Sequence, residues 1–552
     1  MKRFQLVAMG LVAMAMLAET IVAADLTGHW VASQPGRGGQ PQETSVWIKA
    51  SGDTFTGYMT TARNGSVPIV DGKVSGDQVT FTTVTDNYGE EQRQQYAGSI
   101  TPDGLLIHLP AGGGRGAGGM PPGGRTGAAA VGANGSGASA GSPGAAGTGA
   151  NGRGGGGRGG PPPDLLAKRV SSETPPPMPE KVDLGPMKEV KYNGLSKTPP
   201  MGWNSWNKFR DQVSDKLLRE VADGMVRNGL KAAGYIYVNI DDTWQGPRDS
   251  KGNITTNDRF PDMKALGDYI HSKGLKFGIY SSPGPATCAG YPGSYQHERQ
   301  DAKTYAAWGV DYLKYDWCSA RSVYQSSSMA AAYAKMGQAL LDSGRPILYS
   351  LCQYGVMKVY DWGAKAGGNA WRTTGDIRDA WASMAQIGFE QQQPYQEASG
   401  PGHWNDPDML EIGNGGMSDN ECRTHMSLWS LLAAPLLAGN DLRDVPPNIL
   451  AILTNREVIA VDQDKLGKQA RRASKTGDLE VWTRPLERGG YAVGLFNRGE
   501  AAAKMTLHAS DLNIKRISKI RDLWAHADGA AGAEFAVDVP AHGVTMLRVE
   551  GK

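Results

Sequence analysis

The chain has 552 residues, more than a single hydrophobic core ordinarily serves, so several domains are expected. Its 57 lysines and arginines nearly balance 55 aspartates and glutamates, and no basic stripe points to nucleic acid, so a neutral partner fits better than a polyanion. The four cysteines, Cys288, Cys318, Cys352 and Cys422, lack the Cys-x-x-Cys spacing of a structural zinc site, so no metal is indicated.

In chain order, Lys2 and Arg3 precede an apolar run at 4–18 and small residues up to Ala24, the pattern of a secretory signal peptide over 1–24 with cleavage near Ala23 or Ala24. That run is too short to span a bilayer and no later run is long enough, so the mature protein is expected to be exported, secreted or periplasmic, with no membrane insertion. Residues 25–172 read as a small all-β module. Period-two alternation at 44–48, 54–60, 78–84 and 105–109 is punctuated by the turn signals Asn64-Gly65, Asp71-Gly72 and Asp103-Gly104. The Gly-, Ala- and Ser-rich tract at 111–163 cannot bury apolar surface and is expected to be disordered. It is either a linker or, because 165–170 reads as one more strand, a long loop inside the module. The Pro-rich stretch at 173–196 then serves as the interdomain spacer. Both a spacer role and polysaccharide binding stay open for the module.

Residues 197–460 alternate strands and helices. Strands are expected at 201–204, 235–240, 276–280, 312–315, 347–351, 370–373, 402–405 and 434–438, with helices at 215–228, 263–272, 299–308, 328–341 and 379–387. Eight such repeats match the size of a (β/α)8 TIM barrel, an α/β architecture whose function sits at the C-terminal ends of its strands. A doubly wound sheet fits less well, since no Gly-x-Gly-x-x-Gly follows an early strand. Residues 461–552 return to period two at 479–483, 492–496, 504–507 and 544–549, with turns at Gly489-Gly490 and Asp528-Gly529, as in a closing antiparallel β-sandwich.

The strand ends carry the chemistry. In Tyr312-Leu313-Lys314-Tyr315-Asp316-Trp317-Cys318 the alternation of a strand puts Tyr312, Lys314, Asp316 and Cys318 on one face. An ammonium two residues from a carboxylate is expected to lower the pKa of Asp316, as suits a carboxylate nucleophile; a buried ion pair is the plainer reading of this stretch alone. Other strand ends carry Trp203-Asn204-Ser205-Trp206, Asp241-Asp242-Thr243-Trp244, Tyr280, Trp371-Arg372-Thr373-Thr374-Gly375-Asp376 and Trp404-Asn405-Asp406-Pro407-Asp408. Singly, these are helix caps and core tryptophans. Gathered at one barrel face, carboxylates, amides and flat aromatic rings suit a neutral polyhydroxylated ring, that is, a sugar, and two carboxylates on different strands are what a retaining glycosidase requires.

From Thr198 onward the chain resembles glycoside hydrolase family 27, the α-galactosidase and α-N-acetylgalactosaminidase family. The motifs above carry the resemblance, together with Thr287-Cys288-Ala289-Gly290 and Gly402-His403-Trp404-Asn405-Asp406-Pro407-Asp408-Met409. The resemblance implies that Asp316 is the nucleophile and Asp376 the general acid/base. Asp241 and Asp242 would bind the C4 and C6 hydroxyls, Lys314 and Arg372 the other hydroxyls, and Trp206, Tyr280 and Asp408 would line the pocket. It implies no cofactor, and as substrate a galactose-containing oligo- or polysaccharide. No direct contact between Arg372 and Asp376 is inferred. Many relatives have Glu-Trp where this chain has Gln353-Tyr354. The Tyr354 ring is expected to exclude an acetamido group at C2, with its hydroxyl or the Gln353 amide bonding a C2 hydroxyl. Cys288 and Cys318 are expected to pair across the barrel mouth, and Cys352 to remain a free, buried thiol. The rivals are α-N-acetylgalactosaminidase, isomaltodextran-type activity and β-L-arabinopyranosidase, the last of which often changes the residue at Asp241. A non-catalytic carbohydrate-binding protein is a further rival, against which the retention of both Asp316 and Asp376 speaks.

Overall fold

The computed structural model describes residues 26–35, 41–109 and 164–551. The signal-peptide and glycine-tract readings fall outside them. No described helix is long and apolar enough to cross a membrane.

The first unit is a closed antiparallel barrel of β1 (Gly28–Pro35), β2 (Pro41–Ser51), β3 (Thr54–Thr61), β4 (Gly65–Ser75), β5 (Gln78–Asn87), β6 (Glu90–Thr101), β7 (Gly104–His108) and β8 (Leu165–Ser171). β8 pairs with β7 on one side and β1 on the other, so the strand that follows the glycine tract in sequence is the one that closes the barrel. Closure removes both sheet edges. Alternating residues such as Val46 and Ile48, Val67 and Ile69, and Leu105 and Ile107 fill the interior. Asp71-Gly72, expected as a turn, instead lies inside β4. The register slips there against both neighbours, and Asp71 takes φ +54°, so the pair forms a β-bulge that lets the strand continue around the barrel.

The second unit is a parallel sheet built from β9 (Met201–Asn204), β10 (Tyr237–Asn239), β13 (Lys276–Ser281), β14 (Tyr312–Asp316), β15 (Leu348–Cys352), β16 (Ala370–Arg372), β17 (Trp404–Asp406) and β18 (Leu436–Ala438). These run in the order β17-β16-β15-β14-β13-β10-β9-β18, and a bridge between Leu410 and Ala438 joins the two ends, giving the TIM-type barrel. A short hairpin, β11 (Gln245–Arg248) and β12 (Ile254–Thr256), rises after β10. The outer helices follow ordinary amphipathic logic. In Asp215–Arg227 the Ser214 hydroxyl caps the start by accepting from Leu217 N, and Leu217, Leu218, Val221, Ala222 and Met225 form the buried stripe. Helix Asp419–Leu431, absent from the sequence reading, has a Ser418/Glu421 capping box. It buries residues on nearly every side because it is packed between the barrel and the next domain, which erases the 3.6-residue periodicity.

The last unit pairs a six-stranded sheet, β19 (Arg471–Thr476), β20 (Leu479–Pro485), β21 (Tyr491–Asn497), β26 (Val544–Gly551), β23 (Ile517–Asp522) and β24 (Ala527–Gly529), with a two-stranded sheet of β22 (Ala503–His508) and β25 (Glu534–Val539). Asp528-Gly529, read as a turn, is in fact strand β24, paired with β23. Phe389 of the barrel packs edge-on against Trp482 and Phe496, with centroids 6.0 and 5.1 Å away, and so locks this unit to the barrel.

Candidate active site

Register in the parallel barrel brings the motifs together. Lys314 on β14 pairs with Tyr280 on β13 and Ser350 on β15, while Asp316 lies level with Cys352 and Arg372 with Asp406. Beyond the strand ends, residues with left-handed backbone include Thr243 (φ +84°), Tyr354 (φ +60°) and Asp408 (φ +87°). This conformation is costly for residues with a Cβ, and concentrations of it mark segments whose side chains are held in one orientation by their surroundings.

Asp316, nearly fully buried, is the focus. Tyr354 donates its phenol to Oδ1 at 2.6 Å and Tyr280 donates to Oδ2 at 3.1 Å, so both carboxylate oxygens are held in place. The expected lowering of its pKa is corrected: it is pushed up to about 6. Burial outweighs the opposing pull of Lys314 and of the Tyr354 hydrogen bond, and Asp376 adds a like charge. Lys314 does not turn to its strand neighbour. Its ammonium binds Asp241 Oδ2 at 2.8 Å, an oxygen that also accepts from Asn204 Nδ2 at 2.8 Å. Although burial works against it, the lysine is held well in its charged range by Asp241 and further acidic neighbours.

Asp242 is clasped by backbone, accepting from Thr243 N at 2.7 Å and Ala289 N at 2.8 Å. Its carboxyl is nonetheless pushed up to about 7, chiefly by burial, with Asp241 contributing. On the opposite wall one Arg372 nitrogen, Nη2, reaches both Asp376 Oδ1 at 3.1 Å and Asp408 Oδ2 at 3.0 Å, a contact the sequence reading left uninferred. Asp408 also accepts from Ile377 N at 2.8 Å, and burial raises it to about 6 against the pull of Arg372. Asp376 differs from every other acid in this group, its side chain being 56% exposed.

The aromatic residues divide by role. Trp203, Trp244, Trp371 and Trp404 are fully buried, and their indole N–H groups bond the Asn440, Tyr280 and Ser196 carbonyls and Asn405 Oδ1, so these rings brace the strand ends and offer no face to a ligand. Trp206 is half-buried at the mouth, with the Arg210 guanidinium 5.6 Å from its ring. Gln353 is fully buried and donates one amide N–H to the Arg372 carbonyl at 3.1 Å, while its amide oxygen has no partner among the described residues. Tyr354, expected to bond C2, gives its hydroxyl to Asp316 instead.

Cys288 and Cys318 form a disulfide with Cα atoms 4.9 Å apart, and Cys352 and Cys422 are free and buried. The bond joins the loop after β13 to the loop after β14, next to the Tyr280 hydroxyl, 3.3 Å from Cys318 Sγ. Because both sulfurs are spent in the bond, the cluster Cys288, Asp316 and Cys318 offers a cation only one carboxylate. Asn204, Ala289 and Cys352 also join the site. The first two stood within motifs read from the sequence, and Cys352, 3.7 Å from the Arg372 guanidinium, was noted there only as a thiol.

A family model described as "Alpha galactosidase A" matches residues 198–464, and one described as "Alpha galactosidase C-terminal beta sandwich domain" matches residues 476–549. The α-galactosidase A of Cellvibrio japonicus is 46% identical over 383 residues, covering 65% of this chain and 93% of its own. The α-galactosidase of Coffea arabica is 50% identical over 361 residues, covering 64% and 94%. The crystal structure of α-galactosidase I from Mortierella vinacea superposes with a TM-score of 0.62 at 37% identity, over 65% of this chain and 98% of its own. A Bacteroides fragilis structure at 28% identity covers 95% of both chains with a TM-score of 0.63. With its barrel and its sandwich both matched, this chain belongs to glycoside hydrolase family 27, the α-galactosidase family.

Proposed function

We propose that the protein is a retaining exo-α-galactosidase that removes terminal α-linked galactose from oligosaccharides and galactomannan-type polysaccharides outside the cytoplasm. α-Galactosidase activity is supported by relatives at 46–50% identity. The yeast relative has a structure with raffinose, a galactose-capped trisaccharide. The observation that carries the mechanism is the unlike treatment of two acids within one site: Asp316 is buried with both oxygens bonded by phenols, while Asp376 is solvent-open and held by Arg372.

In the first step Asp316 attacks the anomeric carbon, the glycosidic C–O bond breaks, and Asp376 gives its proton to the departing oxygen. The two phenols hold the nucleophile in line. In the second step Asp376 takes a proton from water, which displaces Asp316 and releases galactose with its original anomeric configuration. Asp241 and Asp242 bind the C4 and C6 hydroxyls, Lys314 and Arg372 serve the remaining hydroxyls, and Trp206, Tyr280 and Asp408 line the pocket. Asp241 retains a carboxylate bonded to Lys314 and Asn204, which favours a hydroxymethyl-bearing ring over the arabinopyranoside accepted by the Geobacillus stearothermophilus relative.

The test is hydrolysis of p-nitrophenyl α-galactoside with the first-formed anomer read by NMR. Release of α-galactose is expected, Asp316→Asn is expected to lose nearly all turnover while remaining folded, and an activated fluoro-sugar should label Asp316. First-formed β-galactose, or label on another carboxylate, would overturn the assignment.

A further inference from the structure

The N-terminal barrel lies outside both family matches, and nothing in its sequence marks it as a sugar platform. Its placement relative to Asp316 gives it a role. The 3-10 turn Ala320–Ser322 begins four residues after Asp316, and two hairpin turns of the N-terminal barrel rest on it. At the β3–β4 turn the backbones touch: Gly65 has φ +64°, and a Cβ there would lie 2.3 Å from the Ser322 carbonyl oxygen, so only glycine permits the approach. At the β5–β6 turn, Arg321 donates from Nη2 to the Asp86 carbonyl at 3.0 Å and stands 5.0 Å over the ring of Tyr88.

Tyr88 is the unusual residue. It holds φ +61°, a left-handed conformation rare for an aromatic side chain, pinned by Asp86 Oδ1 accepting from Gly89 N at 2.6 Å. It extends away from its own barrel to pack against the apolar core of the catalytic barrel, yet one part stays open to solvent. Burial chiefly raises its phenol pKa, with Arg321 pulling the other way, and that same arginine sits on the turn that follows the nucleophile's strand. Arg63, on the β3–β4 turn, is exposed, and its charge acts on both Tyr88 and Arg321. A residue that reaches the site from another domain stands outside the strand ends. In a pocket closed below by the barrel strands, such a residue meets what protrudes from the pocket, not the terminal ring.

We propose that the N-terminal barrel completes the active-site mouth, with Tyr88 and Arg63 forming a wall that binds the leaving-group sugar next to the terminal galactose. The apolar face of that sugar would lie on the exposed part of the Tyr88 ring, and Arg63 would donate to its hydroxyls. This inference rests on the α-galactosidase reading above, and deepens it.

The test compares kcat/KM of the full-length protein on an α-1,6-galactosyl disaccharide with that on α-galactosyl fluoride, which has no leaving-group sugar. Hydrolysis of the fluoride by the wild type checks the underlying reading, and its absence would refute that reading itself. With that in hand, Tyr88→Ala is expected to lower the disaccharide-to-fluoride ratio about tenfold and Tyr88→Phe to keep it within about threefold. Arg63→Ala, an exposed change that leaves the fold intact, is expected to lower the ratio about threefold and decides the matter if Tyr88→Ala does not fold. Equal losses on the two substrates, as from a merely bracing contact, or an unchanged ratio in both alanine variants, would overturn the proposal.

Discussion

Tyr354→Phe removes one oxygen and nothing else from the ring that holds the nucleophile. The lost hydroxyl donates at 2.6 Å to Asp316 Oδ1, while the Tyr280 bond to Oδ2, at 3.1 Å, remains. A hydrogen bond to a charged group contributes about 1.5–3 kcal/mol and favours the ionised form. At about 1.4 kcal/mol per pKa unit, its loss raises Asp316 by roughly one to two units, from about 6 to roughly 7–8. Since the nucleophile must be ionised, the acid limb of kcat/KM should move up by the same amount. At pH 5 the variant should therefore be about 10- to 100-fold slower than the wild type, a deficit that shrinks as pH rises past the new pKa. The assay is the pH dependence of kcat/KM on p-nitrophenyl α-galactoside from pH 4 to 9. A uniform loss at every pH, with the acid limb still near 6, would refute the claim that this phenol acts by stabilising the ionised carboxylate.

Asp376→Ala should cripple substrates with poor leaving groups far more than activated aryl ones, and azide should restore turnover and give a β-linked azido product; equal losses without rescue would count against the acid/base role. The Cys288–Cys318 bond closes a loop with a sequence separation of 30, for which chain entropy suggests about 3–4 kcal/mol of stabilisation. Thermal melts with a phosphine reductant should show a clearly lower Tm than without it, and identical melts, with reduction verified by thiol labelling, would show the bond to be dispensable. The wild type should favour p-nitrophenyl α-galactoside over its N-acetylgalactosaminide by at least about 100-fold, with the Tyr354 ring fixed on Asp316 as the obstacle. Comparable kcat/KM on the two would show that this ring does not read C2.

Much of the molecule was legible in the order of its residues because the signals are local. Period-two and period-3.6 patterns marked many of the strands and helices in the three units, with β9 and helix Met263–Ser272 read to the residue, and the acidic and aromatic motifs named the strand ends where the chemistry gathers. Local signals failed where neighbours in space decided the outcome. Asp71-Gly72 became a bulge because the closing barrel supplied partner strands on both sides, and helix Asp419–Leu431 lost its amphipathic stripe because two domains cover it. The charge on Asp316 could not be read from Lys314 two residues away. The lysine found Asp241 across the barrel, and burial, which depends on the whole fold, set the pKa. Gln353 and Tyr354 are adjacent in sequence, yet one faces the backbone of the next strand and the other the nucleophile. The contact of Tyr88 with Arg321, on the turn after the nucleophile's strand, had no sequence signal at all. It comes from the docking of one barrel on another, a contact between residues more than 200 positions apart that pattern and spacing along the chain do not encode.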